Sequence, residues 1–315
     1  MVRRLLEEIT SQLAAAPQLD VAVRSEAARE TRLLVAATLG LSIGDLARRA
    51  GGAVTDHERD RIRAAVRRRV RGEPLAYVVG TAAFRHLTLR VDQRVLIPRP
   101  ETEIVVENAL RVAAIRPGGI AVDIGTGSGA IALSLATEGR FELVLATDVS
   151  TDALEVAIAN ASGLCLHTDV EFRLGADLAP LEGLRARVIV SNPPYIAYGE
   201  ATSLPASVRD WEPALALFAS DEGLARYDVL LAGANRYLET GGFVVLEVDS
   251  RRARDTAALA ERYGWLDVRL HRDLSGRERV LVARGVGSSA PVIVQPRAVA
   301  LAKALRTYVP GPEAR

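Results

Sequence analysis

The stretch Ser191-Asn192-Pro193-Pro194-Tyr195 holds residue types that can act together on a planar nitrogen. An apolar run, Val188-Ile189-Val190, leads straight into it. Two prolines remove N–H donors and fix φ, so the loop is stiff. The Asn192 side-chain oxygen and the Pro193 carbonyl can then point the same way as acceptors and hold both N–H bonds of one nitrogen. Pro194 stiffens the same loop, and Tyr195 offers a flat face for stacking on a conjugated group. An amide, guanidine or amino-purine nitrogen has a delocalised lone pair. Acceptors on its hydrogens draw density back to nitrogen and orient it for attack on an electrophilic carbon, and such orientation lowers a barrier by several kcal/mol or more. The bland reading is a structural turn, since Asn-Pro starts many turns.

A second cluster lies upstream. Asp123-Ile124-Gly125-Thr126-Gly127-Ser128-Gly129 follows an apolar segment and precedes a helical one. Gly125, Gly127 and Gly129 allow a sharp turn and close approach of backbone to a ligand. Alone this is weak, because a nucleotide phosphate also suits such a turn. Asp148 ends the next apolar run, about 20 residues on, where a carboxylate can accept both hydroxyls of a ribose. The pair fits NAD and S-adenosylmethionine alike, but the glycine spacing departs from the dinucleotide fingerprint. Asp123, Gly125, Thr126, Gly127, Gly129, Asp148, Asp177 and Asn192 are therefore the expected cofactor contacts. Structural alternatives are a strand-end carboxylate for Asp123 and a helix N-terminal carboxylate for Asp148.

Elements of alternating type must carry these loops. Apolar strands are expected at 120–124, 143–146, 170–174, 187–191, 242–248, 266–271 and 279–283, with helices at 130–137 and 151–161 between the first of them. Strands alternating with helices imply an α/β fold, a mostly parallel Rossmann-like sheet covered on both faces. Upstream, residues 1–72 read as a small helical domain, with Leu5, Leu6, Ile9 and Leu13 at helical spacing and Thr55 as an N-cap. Alternation in Leu87, Leu89 and Val91 places a β-hairpin between Phe84 and Val95, within a linker of residues 73–100. Pro98 and Pro100 precede a helix at about 102–115. The catalytic domain then spans 101–285. A tail, 286–315, holds a short helical pattern near 297–307 and has no assigned role.

Composition narrows the class. The chain has 315 residues, 49% hydrophobic, a net charge of +1 and one cysteine, Cys165. No apolar run is long enough to span a membrane and no signal sequence is evident. The single cysteine excludes an intramolecular disulfide and fits a reducing cytoplasm. A near-zero net charge argues against stable nucleic-acid binding. The arginine run Arg61, Arg63, Arg67, Arg68, Arg69 and Arg71 reads as a solvated helix face, the alternative being a contact with RNA or an acidic partner. His86, His167 and His271 read as surface or packing residues. No His, Cys and carboxylate spacing suits a metal.

These motifs resemble the HemK/PrmC family of protein glutamine N5-methyltransferases that modify release factors. The resemblance covers residues 5 to 284. It is carried by Arg71-Gly72-Glu73-Pro74-Leu75-Ala76-Tyr77, Val95-Leu96-Ile97-Pro98-Arg99-Pro100-Glu101-Thr102-Glu103, the glycine turn and the Asn-Pro-Pro-Tyr loop. Trp211-Glu212-Pro213-Ala214-Leu215-Ala216-Leu217 and Asp273-Leu274-Ser275-Gly276-Arg277-Glu278-Arg279 complete it. The resemblance implies S-adenosylmethionine as cofactor, S-adenosylhomocysteine as product and a release factor as partner. It also implies that Asn192 and Pro193 grip the substrate nitrogen, with Tyr195 nearby and Arg99 and Pro100 walling the pocket. Three departures stand out. Ala186-Arg187 replaces the usual Phe-Asp, His86 replaces a hairpin glycine, and Glu247-Val248-Asp249 replaces Glu-Ile-Gly. Glu247 and Asp249 are either strand-end groups or substrate contacts, and an added carboxylate near the pocket would suit a cationic substrate.

The expected activity is accordingly methylation of the glutamine amide in a release factor's Gly-Gly-Gln loop. The alternative is a paralogue acting on a free small molecule such as arginine, motivated by the altered motifs, the added Asp249 and the unmatched tail. A nucleic-acid base methyltransferase would need a basic groove and base flipping. A non-catalytic binding module would have no use for an intact Asn-Pro-Pro-Tyr loop.

Overall fold

The computed structural model describes residues 2–220 and 223–287, so the expected tail helix lies outside the described residues. The N-terminal region is helical: α1 (Val2–Ala15), α2 (Val21–Ser25), α3 (Ala27–Leu39), α4 (Ile43–Arg48), α5 (Asp56–Val70) and α6 (Leu75–Val79). Thr55 caps α5 in a reciprocal box: its side chain accepts from the Glu58 N–H, and Glu58 accepts from the Thr55 N–H. Ile9, Leu13, Leu34, Leu46 and Ile62 form one buried core, and Val78 of α6 joins it, so the helical unit runs beyond residue 72. The arginine run of α5 is mostly solvated, but Arg69 is buried and pairs with Glu30 at 2.9 Å, while Arg68 grips Glu73. These pairs tie α5 to α3 and to the turn that leads into α6.

A hairpin follows, β1 (Thr81–Phe84) and β2 (Leu87–Arg90), earlier than the alternation of Leu87, Leu89 and Val91 suggested. That alternation marks only its second strand; Leu87 and Leu89 face the core. The two-residue turn puts Arg85 at φ 50°, a region that residues with a Cβ seldom adopt. Two hydrogen bonds from its guanidinium to Glu138, at 2.7 and 2.6 Å, offset that strain. His86 is exposed beside it.

Helix α7 (Pro100–Ala113) has Pro100 in its first turn, where a missing N–H is harmless. Next come β3 (Ile120–Ile124), α8 (Ala130–Glu138), β4 (Leu143–Asp148), α9 (Thr151–Ala161), β5 (Val170–Leu174) and β6 (Ala186–Ser191). A short parallel pair, β7 (Ile196–Ala197) and β8 (Phe218–Ala219), brackets α10 (Ala206–Arg209) and α11 (Ala214–Leu217). The chain continues through α12 (Ala225–Gly233), β9 (Leu238–Glu247), α13 (Ala253–Arg262), β10 (Leu266–Arg272) and β11 (Glu278–Arg284).

Seven strands form one sheet in the order β10-β11-β9-β6-β3-β4-β5, with β11 alone reversed. The period-2 alternation of side chains fills both faces. Val188, Val190 and Val245 pack under α7 and α8. Ile189, Val244 and Leu246 pack under α12 and α13. Each such side chain contributes about 1.5–3 kcal/mol when fully buried. Strand β9 begins at 238 rather than 242, because Gly241 and Gly242 sit within its irregular first half. The departure at Ala186-Arg187 is compensated locally: Arg187 is buried, bonds Glu239 at 2.9 and 2.7 Å and reaches the Arg116 carbonyl.

Strand order reverses direction between β3 and β6, the place where ligands bind in such sheets. Register then fixes the neighbours. Ile124 pairs with both Thr147 and Ser191, and Ser191 pairs with Leu246. One residue further along each strand lie Gly125, Asp148, Asn192 and Glu247, aligned on one edge of the sheet.

Candidate active site

A pocket opens at that edge, lined among others by Gly125, Thr126, Gly127, Asp148, Asp177 and Asn192. Arg99, Pro193 and Pro194 complete its wall, with Pro98 rather than Pro100 on that side. Pro213, Leu215 and Val149 make an apolar rim, and Leu215 and Val149 are exposed.

The floor is built from backbone. Gly125, Gly127 and Gly129 have φ of 74°, 55° and 84°, which only glycine adopts without strain. A Cβ on Gly125 or Gly127 would meet no protein atom within 4 Å, so the concavity is open for a ligand to approach the chain. Gly129 differs: a Cβ there would lie 2.9 Å from Leu133 and 3.3 Å from Ala157. Its role is close packing of α8, and it does not line the pocket. Asp148 Oδ2 accepts the Gly127 N–H at 2.9 Å, and Oδ1 accepts the Ser150 N–H at 2.9 Å. Each oxygen retains a lone pair toward the pocket. Asp177 has φ 49° and pairs with Arg226, so the pocket meets this carboxylate already partnered.

Asp123 lies beneath the floor rather than on it. It is fully buried; one oxygen accepts from Thr126 Oγ1 at 2.7 Å and from the Ala132 N–H at 3.1 Å. The other, Oδ1, has no partner among the described residues. Burial pushes this carboxyl up to about 7, against the pull of those hydrogen bonds. Thr126 is thereby turned inward, leaving only part of its surface on the pocket.

The wall is built from side chains. Asn192 Nδ2 donates to Thr102 Oγ1 at 3.2 Å, and Thr102 Oγ1 donates to Glu247 Oε2 at 2.5 Å. Tyr195 donates its hydroxyl to Glu247 Oε1 at 3.3 Å. A hydroxyl has one hydrogen; since Thr102 spends it on Glu247, it can only accept from Asn192. The Asn192 amide is thus oriented with Nδ2 inward, and among the described residues no donor engages Oδ1. Glu247 is buried, and burial pushes its carboxyl up to about 7 although Thr102 and Tyr195 both favour the charged form. Burial, with Glu247 beside it, also raises the Tyr195 hydroxyl.

Three expectations need correction. Tyr195 does not line the pocket: its ring packs on the α12–α13 face and its hydroxyl is committed to Glu247. Glu247 stands one layer behind Asn192. Asp249 is turned away and bonded by Arg251 and Arg252, each at 2.6 Å, with Glu200 sharing both arginines. Although burial opposes ionisation, the Arg251 hydrogen bonds hold the Asp249 carboxyl below its usual range.

Sequence reasoning missed three supporting residues. Thr102 orients Asn192. Glu212, buried, accepts from Arg99 at 2.5 Å and from the Ile97 N–H, fixing the wall. Arg226 partners Asp177. Thr102 and Glu212 lie inside the matched motifs, but their partners are distant in the chain. Among the described residues no group of three or more His, Cys, Asp or Glu could hold a metal, and no helix is long and apolar enough to cross a membrane.

A family model described as the PrmC N-terminal domain matches residues 4–80, and one described as a methyltransferase small domain matches residues 102–207. The release factor glutamine methyltransferase of Cereibacter sphaeroides is 37% identical over 271 residues, covering 86% of this chain and 96% of its own length. That of Bradyrhizobium diazoefficiens is 38% identical over 274 residues, covering 85% and 92%. The hMettl16 catalytic domain shares the fold at a TM-score of 0.52 and 16% identity, covering 66% of this chain and 78% of that one.

Proposed function

The chain belongs to the release factor glutamine methyltransferase family, and on that premise we propose that it methylates N5 of the glutamine side chain in a release factor's Gly-Gly-Gln loop. The enzyme is an S-adenosylmethionine-dependent N-methyltransferase with a class I methyltransferase fold. The cofactor, when bound, supplies a methyl group on a sulfonium, and S-adenosylhomocysteine is the product left behind. The open glycine turn and the two free lone pairs of Asp148 suit a ribose-bearing ligand. Gly125, Thr126, Gly127, Asp148 and Asp177 would hold it.

The observation that carries this reading is the pinned Asn192 amide, whose Oδ1 is left as an acceptor on the pocket wall. With the Pro193 carbonyl, Oδ1 accepts the two N–H bonds of the glutamine amide. This fixes the nitrogen's orientation and concentrates density on it as the carbon–nitrogen bond forms. Arg99, held by Glu212, and Pro194 bound the same wall. The N-terminal helices are the proposed recognition unit for the release factor, and 286–315 has no proposed role. A substrate that serves translation and a single cysteine accord with a cytoplasmic location.

The reading that favoured a free cationic substrate rested in part on Asp249. That carboxylate is neutralised by two arginines of the chain itself. The deciding experiment incubates the protein with methyl-labelled S-adenosylmethionine, a release factor and a mixture of free amino acids. Label is expected in the release factor and lost when its loop glutamine is changed. Label confined to a free amino acid overturns the proposal.

A further inference from the structure

We propose that Glu247, acting through the Thr102 hydroxyl, sets which end of the Asn192 amide meets the substrate: as carboxylate it presents Oδ1, as carboxylic acid it presents Nδ2. The inference rests on the glutamine-methylation reading and deepens it. Glu247 and Thr102 are positioning residues in it, and neither touches the reacting atoms.

In the arrangement seen, the Thr102 hydrogen points to Glu247 Oε2 and its oxygen accepts from Asn192 Nδ2. A 2.5 Å O–H···O contact is the length expected when the acceptor is ionised. If Glu247 takes a proton from solvent onto Oε2, that oxygen becomes the donor. In the proposed acid state Thr102 accepts from Glu247 and donates its freed hydrogen to Asn192. The only Asn192 atom that can accept it is Oδ1, so the amide rotates and Nδ2 faces the pocket. An NH2 group cannot accept the N–H bonds of a glutamine amide, and the site is switched off.

The position of this switch on the pH scale depends on all the groups around Glu247. Thr102 and Tyr195 hydrogen-bond it, and the Arg279 charge on β11 favours its ionisation. Burial and Glu101 of α7 oppose it. Tyr227 of α12 and Asp249 at its own strand end complete the surroundings, linked to it through Tyr195 and Tyr227. The net result places the carboxyl at about 7.

The chain has four asparagines, Asn108, Asn160, Asn192 and Asn235, so side-chain amide resonances of asparagine-labelled full-length protein are few. Asn192 is assigned by its loss in Asn192→Asp. Its NH2 resonances are expected to shift with a midpoint near neutrality in the wild type and to stay fixed in Glu247→Gln. With a release factor as substrate, kcat should fall up to about tenfold per pH unit below that midpoint, since the protonated form is inactive. The same limb should be absent in Glu247→Gln. Thr102→Val should lower kcat about tenfold or more at every pH with the cofactor KM within twofold, and Thr102→Ser should restore it. An identical acid limb and amide titration in Glu247→Gln overturns the proposal. So does a Thr102→Val kcat within twofold of wild type. If no release factor is methylated at any pH, the glutamine reading fails instead, and the amide titration still decides whether Glu247 turns Asn192.

Discussion

The floor and the wall of the pocket are made in opposite ways. The floor is main chain: two glycines at positive φ and a carboxylate that bonds two backbone N–H groups, one in the neighbouring glycine turn and one two residues on. The wall is side chain: an asparagine whose orientation comes from a threonine 90 positions away and a glutamate 145 positions from that threonine. A backbone site is set once the turn forms. A side-chain site needs the whole sheet in register, because only the Ser191–Leu246 pairing brings Glu247 beside Asn192. The floor suits a ligand that stays the same in every turnover. The wall can be altered in polarity without disturbing the floor.

Separate mutations should therefore damage separate constants. Asn192→Ala removes the acceptor of the wall. The expected loss is about 10²–10³ in kcat, the scale seen when one preorganised polar contact to a transition state is deleted. Cofactor affinity by calorimetry should stay within a few fold. A parallel collapse of cofactor affinity would show that floor and wall are one unit.

Asp148→Ala addresses the floor. It deletes the proposed charge-assisted contacts to ligand hydroxyls, one of which is worth about 1.5–3 kcal/mol, so the cofactor Kd should rise at least about 10–100-fold. With saturating cofactor, kcat should recover most of its value. Unchanged affinity would remove Asp148 from the site and leave it as the tether of Gly127 and Ser150.

The same contrast explains what the sequence disclosed. The strand at 120–124, the helix at 151–161 and the strand at 170–174 coincide with the observed elements, because long apolar periodicity and turn glycines are local signals. Gly125, Gly127 and Asp148 were legible for that reason. Asn192 was legible as a residue type, but not the direction of its amide, which depends on Thr102 spending its only hydrogen on Glu247. Tyr195 was misread as a stacking surface because nothing local shows that its hydroxyl is engaged by a strand 52 positions on. Asp249 read as a spare charge although its neutralising arginines, Arg251 and Arg252, lie only two and three positions on, because adjacency in sequence does not show that their guanidiniums turn back onto it. The hairpin was placed late because β1, Thr81-Ala82-Ala83-Phe84, carries little alternation of its own.

Floor and wall each hide one carboxyl with a raised pKa, and their effect on stability can be compared. Asp123 and Glu247 are both pushed to about 7 by burial, from ordinary values of 3.8 and 4.5. The native state thus binds these protons more tightly than the unfolded chain. Stability from this source is complete below about 4, falls as pH climbs through the folded values near 7, and is level above them. Each group contributes on the order of a few kcal/mol to that slope. Urea midpoints measured from about pH 5 to 8 should fall, and Glu247→Gln and Asp123→Asn should each flatten the fall. A midpoint independent of pH would mean that both carboxyls ionise as freely in the fold as in the chain.

The smallest effect is expected at Asp249, the residue that separates a wall contact from a neighbour of the wall. Its carboxylate holds Arg252, which is largely buried, and Arg251, which is mostly exposed. The exposed pair contributes little. The buried pair matters more, but Glu200 still reaches Arg252 at 3.0 Å when Asp249 is gone, so no arginine is left without a partner. Asp249→Gly should lower stability by roughly 1–2 kcal/mol, read as a shift in urea midpoint. Turnover on a release factor should stay within twofold. A tenfold loss of kcat with unchanged stability would place Asp249 in the wall after all, because the arginine cluster could then act on substrate only through the charge that Asp249 cancels.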